Sequence, residues 1–248
     1  LFASLWDIDH SVDKLNSDPY NKSERRSVNI LIGITILMDE PVRKRGRPRV
    51  LDRDVGLDIA ARLFWERGYE GTSTADLTKA MGINPPTLYS TFGSKEELYR
   101  QALDFSIARE NSRRSEILQS NLPVYEALSR YLYDIADGDT QPDKPRGCLV
   151  STAVLQHAEE NASVARMTAA LREASMQVLK SRFDRAITEG ELPAETDTDT
   201  LARFYGAIIQ GMSAQACDGA CNALLKRLID IALTAWPGMR QTSTGNSD

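Results

Sequence analysis

Residues 71–97, GTSTADLTKAMGINPPTLYSTFGSKEE, constrain the fold more than any other part of the chain, because they read as two short helices around a glycine turn. Thr72 or Ser73 can cap a helix over Thr74 to Met81, Gly82 permits the reversal that ends it, and Asn84 can cap a second helix that opens on Pro85. The spacing predicts a second helix from Pro85 to Phe92. That layout is a helix-turn-helix, whose second helix enters the DNA major groove while the first crosses the backbone and braces it.

The flanks extend the reading. A helix starting near Asp52 carries Val55, Ile59, Ala60, Leu63 and Phe64 on one face before Gly68 stops it, and a further helix opens on the capping box Ser94-Lys95-Glu96-Glu97 and runs well beyond residue 110. Upstream, Arg43, Lys44, Arg45, Arg47, Arg49 and Arg53 crowd six positive charges into a chain whose net charge is -5. Arg45-Gly46-Arg47-Pro48-Arg49 has the form of an AT-hook, in which arginines reach the negative potential of a narrow A/T minor groove. The bland alternative is a solvated linker or localisation tract.

The order basic arm, helix, Phe64-x-x-x-Gly68-Tyr69-x-Gly71-Thr72-Ser73, Leu77, Gly82-Ile83, Thr87-Leu88-Tyr89, Phe92 and Ser94-Lys95-Glu96-Glu97-Leu98 closely resembles the TetR/AcrR family of bacterial transcriptional repressors over residues 46–103. The resemblance implies an all-α homodimer: an N-terminal three-helix helix-turn-helix DNA-binding domain, then a helical ligand-binding and dimerisation domain. It also implies repression at a palindromic double-stranded DNA operator in the cytoplasm, with release by a small-molecule inducer. Thr74, Tyr89 and Lys95 stand at the family's phosphate-contacting positions. One departure matters: Pro85 and Pro86 open the recognition helix, and Pro85 to Phe92 holds no Arg, Lys, Asn or Gln, so bidentate base contacts are not available there. Readout then falls to Asn84, Thr87, Ser90 and Thr91, to packing of Pro85, Pro86 and Tyr89 on thymine methyls, and to DNA shape read by Arg45, Arg47 and Arg49.

The expected organisation is a tail over 1–42, the arm over 43–51, the DNA-binding domain over 52–97, the ligand and dimerisation domain over 98–236 and a flexible tail over 237–248. In the first tail, the apolar run Val28 to Met38 is too short to span a membrane, which takes about 20 residues. Leu1 in place of Met, with Met38 just ahead of the arm, reads as an over-extended or alternative start. Beyond the helix-turn-helix, helix-like runs fall at 123–136, 148–159, 164–189, 200–216 and 220–235. The last two carry apolar stripes, with Leu201, Tyr205, Ile208 and Met212 followed by Leu224, Leu228 and Ile231; with Gly206 and Gly211 they suit a four-helix dimer interface or, equally, an ordinary core. Phe105, Tyr125, Tyr131, Leu132, Leu155, His157, Met176, Phe183 and Phe204 lie on helices that enclose the inducer cavity in the family, each with a core role as its alternative. That population suits an apolar or amphipathic inducer.

Cys148, Cys217 and Cys221 do not form a disulfide framework, and His157 is the only histidine beyond the first tail, so neither a metal nor another cofactor is expected. Cys148, after Arg146-Gly147 at an expected helix start, is a candidate low-pKa thiol; buried inert thiols are the alternative. No P-loop, dinucleotide fingerprint or nucleophile elbow is visible. The residues therefore favour a non-enzymatic regulator over the two other classes considered, an architectural A/T-rich DNA binder and a helical enzyme.

Overall fold

The computed structural model describes residues 51–237, and these are all helix, turn and loop. Three short helices form the head: α1 (Arg53–Arg67), α2 (Thr74–Met81) and α3 (Pro85–Phe92). Each starts on a side-chain cap. Asp52 accepts from the Asp54 amide, Ser73 and Asp76 form a reciprocal capping box, and Asn84 accepts from the Thr87 amide ahead of the two prolines. Gly82, at φ 66°, takes the left-handed conformation that turns α2 into α3.

The long α4 (Lys95–Gln119) leaves the head and enters the second layer, where it meets α5 (Val124–Asp139), α6 (Ala162–Thr188), α7 (Thr198–Cys217) and α8 (Asn222–Leu233). Head and body share hydrophobic core: Phe64, Leu77, Leu88, Leu98 and Tyr99 pack in one cluster with Leu149 and Val164. A second cluster, around Leu132, Phe183, Tyr205, Met212 and Leu225, holds the body together.

Two sequence expectations need correction. Val55 is 52% exposed and stands off the buried face of α1, which is made instead by Leu57, Ala60, Ala61 and Phe64. The expected helix over 148–159 is absent; residues 140–158 form turns ending in a single 3₁₀ turn, Glu159–Asn161. The physical reason is competition for its carbonyls. Arg172 Nη1 donates to Val150 O (3.3 Å) and Ala153 O (2.8 Å), acceptors that an α-helix would need, and the β-branched Val154 then sits at φ 42°. Of the two readings left open for the α7 glycines, Gly206 takes the intramolecular one: it admits Met176 of the same chain, whose sulfur a Cβ there would strike.

Candidate nucleic-acid interface and buried cavity

The recognition surface is built on α3. Leu88 and Phe92 are buried in the head core, which fixes the helix's rotation and turns Asn84, Pro85, Pro86, Tyr89 and Ser90 outward. Tyr89 is 52% exposed although it is a large aromatic side chain with no packing role to account for it. Thr87 and Thr91 are half-buried. The polar side chains are partly committed already: the Thr87 hydroxyl donates to Asn84 Oδ1 at 2.8 Å and Ser90 Oγ donates to the Thr87 carbonyl at 3.1 Å. What remains for a partner is the Asn84 amide N–H₂ group, the Tyr89 and Thr91 hydroxyl donors, the hydroxyl lone pairs and the apolar faces of proline and tyrosine, with no guanidinium or ammonium on α3 itself.

Two cations frame the helix. Lys95 lies with Nζ 4.3 Å from the centre of the Tyr69 ring, and burial lowers its pKa against the opposing pull of Glu70. Arg53 does not stand out by its place in the sequence, where it counts as the last charge of the arm. It belongs to α1, donates from Nη1 to the Thr91 carbonyl at 3.0 Å and stacks over Phe92, so that a cation closes the C-terminal end of α3. Capping of a distant helix leaves no signal in local spacing. Thr74 is half-buried at the start of α2. Arg45, Arg47 and Arg49 lie outside the described residues.

A cavity of about 190 Å³ opens among α4, α5, α6, α7 and the irregular segment after α5. Tyr131 and Met176 line it as expected from the sequence; Phe105, Tyr125, Leu155, His157, Phe183 and Phe204 do not. Leu155 is 66% exposed and His157 is exposed, because the segment that carries them is not a helix and leads them outward. Phe183 and Leu132 are sealed in the body core, Tyr125 packs edge-on against Trp236, and Phe105 packs against the head core. Phe204 faces an open groove beside Pro193 and Pro237.

One wall of the cavity is polar. Glu110 binds Arg114 Nη1 at 3.0 Å and Lys144 Nζ at 2.9 Å, while Arg114 Nε donates to Asp134 at 3.2 Å. Behind them Asp139 is buried and accepts a 2.6 Å bond from Ser213, and burial pushes its carboxyl up to about 6. Cys148 lines the same wall and fits the buried, inert reading rather than the low-pKa one: there is no helix N-terminus at this point, and burial, with Asp139 next, raises the thiol pKa. Cys217 is exposed and donates to the Arg146 carbonyl at 3.3 Å.

The segment that lines the cavity also holds the head. Trp65 Nε1 donates to the Arg146 carbonyl (3.2 Å), Arg62 to the Asp143 carbonyl (3.0 Å), and Glu70 Oε1 accepts from the Ala158 amide (2.9 Å) and from Asn161 (2.8 Å). Arg146 ties in the end of α7 as well, donating from Nε to the Ala216 carbonyl at 2.7 Å.

A family model described as bacterial regulatory proteins, tetR family, matches residues 57–102, and a tetracyclin repressor-like C-terminal domain matches residues 125–229. The HTH-type transcriptional repressor ComR of Escherichia coli is 36% identical over 196 residues, covering 79% of this chain and 93% of ComR. This chain belongs to the TetR family of bacterial transcriptional regulators. Another relative, the repressor BdcR of Escherichia coli, is 29% identical over 177 residues, covering 71% of this chain and 85% of its own. The TetR-family regulator CifR, solved as a cysteine mutant complexed with 26 bp double-strand operator DNA, superposes with a TM-score of 0.75 at 40% identity, covering 77% of this chain and 100% of that one. TetR-family proteins are transcriptional regulators rather than enzymes, which removes the enzyme alternative. Among the described residues no helix is long and apolar enough to cross a membrane.

Proposed function

We propose that this protein is a transcriptional repressor that binds a palindromic operator as a homodimer and releases it when a small apolar or amphipathic molecule fills the cavity. The observation that carries the reading is the outward face of α3, where Tyr89, Pro85, Pro86 and Asn84 stand exposed on a helix whose other side is locked into the head core. ComR and BdcR bear the name repressor, and CifR is seen on operator DNA; both support the same role here. Phosphate contacts from Thr74, Tyr89 and Lys95 set register, contacts from Asn84, Thr87, Ser90 and Thr91 read bases, and Arg45, Arg47 and Arg49 add minor-groove attraction.

Dimerisation is assigned to the outer face of α7 and α8. Leu224 and Ile231 are 41% and 72% exposed, with Leu201, Ile208 and Leu228 half-buried beside them. Tyr205 and Met212 drop out of this assignment: both are fully buried in the protomer's own core, on the inward edge of the α7 stripe.

Selecting bound fragments from the source genome, followed by footprinting, tests the proposal. A two-fold symmetric site bound far more tightly than random A/T-rich duplex is expected; equal affinity for both would instead mark an architectural DNA binder.

A further inference from the structure

The cavity wall contains two guanidinium groups in different electrostatic situations. Arg114 is compensated by Glu110 and Asp134. Arg172 is not: it lines the cavity, both its hydrogen bonds come from Nη1 and end on neutral carbonyls, those of Val150 and Ala153, and among the described residues no carboxylate pairs with it. Its Nε and Nη2 edge, the fork that takes a carboxylate side-on, makes no hydrogen bond to the described residues.

Resting on the reading of this cavity as the effector site, we propose that the effector is a short-chain organic acid whose carboxylate pairs with Arg172 and whose carbon chain lies against Leu171, Met176, Leu179 and Ile209. The cavity's volume, about 190 Å³, favours a small acid over a drug-sized one. A cationic ligand would add charge of the same sign as Arg172. A neutral one would leave the partly buried guanidinium, whose pKa burial lowers with Tyr99 opposing, without a counter-charge.

The same pairing supplies a route to the head. Drawing the guanidinium toward a ligand weakens its hold on the Val150 and Ala153 carbonyls, and the freed turn runs through Val154, at φ 42°, to Ala158, whose amide holds Glu70 of the head. Loosening that bond gives the head the freedom to leave its DNA-binding position.

The full-length protein is titrated with three matched series of four- to eight-carbon compounds, the carboxylates butanoate to octanoate, the corresponding primary amides and the corresponding alkylamines. Binding is followed by calorimetry, and operator release by fluorescence anisotropy of labelled DNA. At least one carboxylate is expected to bind and release operator while its amide and amine do not. Arg172→Gln should weaken that carboxylate roughly ten- to hundred-fold, with Arg172→Lys falling between. If the glutamine variant misfolds, the lysine variant and the charge series in wild type still decide. Release by amides or amines as effective as by acids, or acid binding indifferent to Arg172, would overturn the anionic effector while leaving the cavity as the effector site. Silence from all three series at millimolar concentration, with operator bound normally, would instead overturn both the acid and the effector reading of this cavity.

Discussion

Asp139 shows how one buried group gives the whole fold a pH response. Burial pushes its carboxyl, held by Ser213 and faced by Arg114, Glu110 and Lys144, up to about 6 in the folded chain, against about 3.9 when unfolded. Below pH 4 both states are protonated and its contribution to stability is fully present. Between about pH 4 and 6 the unfolded chain ionises while the native one keeps its proton, so that contribution, up to about 3 kcal/mol, is lost as pH rises through the folded pKa. Asp139→Asn keeps an acceptor for Ser213 and removes the titration. Its urea midpoint should therefore gain on wild type steadily from pH 4 to 6.5, and parallel curves would contradict this account. Tyr89 is the opposite kind of residue, exposed and free of structural duty. Tyr89→Ala should cost operator binding on the order of ten-fold, about 1.4 kcal/mol, with thermal unfolding unchanged; a matching loss of stability would return the ring to a packing role. The Cys148 thiol, raised by burial, should react with iodoacetamide more slowly at pH 7 than the exposed Cys221, as peptide mapping of the time course would show.

At the scale of elements, the helices whose limits depend on neighbours a few residues away were legible in the sequence. Ser73, Gly82, Asn84-Pro85 and Ser94 through Glu97 start and stop α2, α3 and α4 where local capping rules put them. The segment after α5 was not legible, because what decides it is Arg172, 19 and 22 residues along the chain from the carbonyls it takes. The misplacement of Leu155 and His157 follows from that single error. The face of α1 failed for a related reason, since Val55 fits the periodicity while Gly56, pressed against Phe92, is what the fold buries. Two substitutions separate the elements by function. Leu88→Ala, at a fully buried site in α3, should destabilise the head by about 2–5 kcal/mol and abolish DNA binding through unfolding, visible by circular dichroism. Ile231→Glu, on the exposed face of α8, should leave the fold intact and give monomers in analytical ultracentrifugation; a persistent dimer would move the interface off that face.

For the molecule as a whole, the proposed DNA interface divides between the head and an arm, residues 43–51, that the described residues do not include. Replacing Arg45, Arg47 and Arg49 by alanine should flatten the log-log salt dependence of operator binding by roughly 0.9 for each phosphate left without its arginine, and an unchanged slope would remove the arm from the interface. Head and body share one core through Leu149 and Val164, so signals between them have a packed path and need no flexible linker. The acceptors that fix Arg172, at Val150 and Ala153, have a consequence for how a sensor of the proposed kind diverges or is engineered. They are main-chain carbonyls, and every amino acid supplies one, so mutational drift in that segment moves them without ever deleting them. Libraries that vary Met176, Leu179 and Ile209 should therefore be the first place to find new responses, while the main-chain anchors of Arg172 at Val150 and Ala153 persist through side-chain change at those two positions.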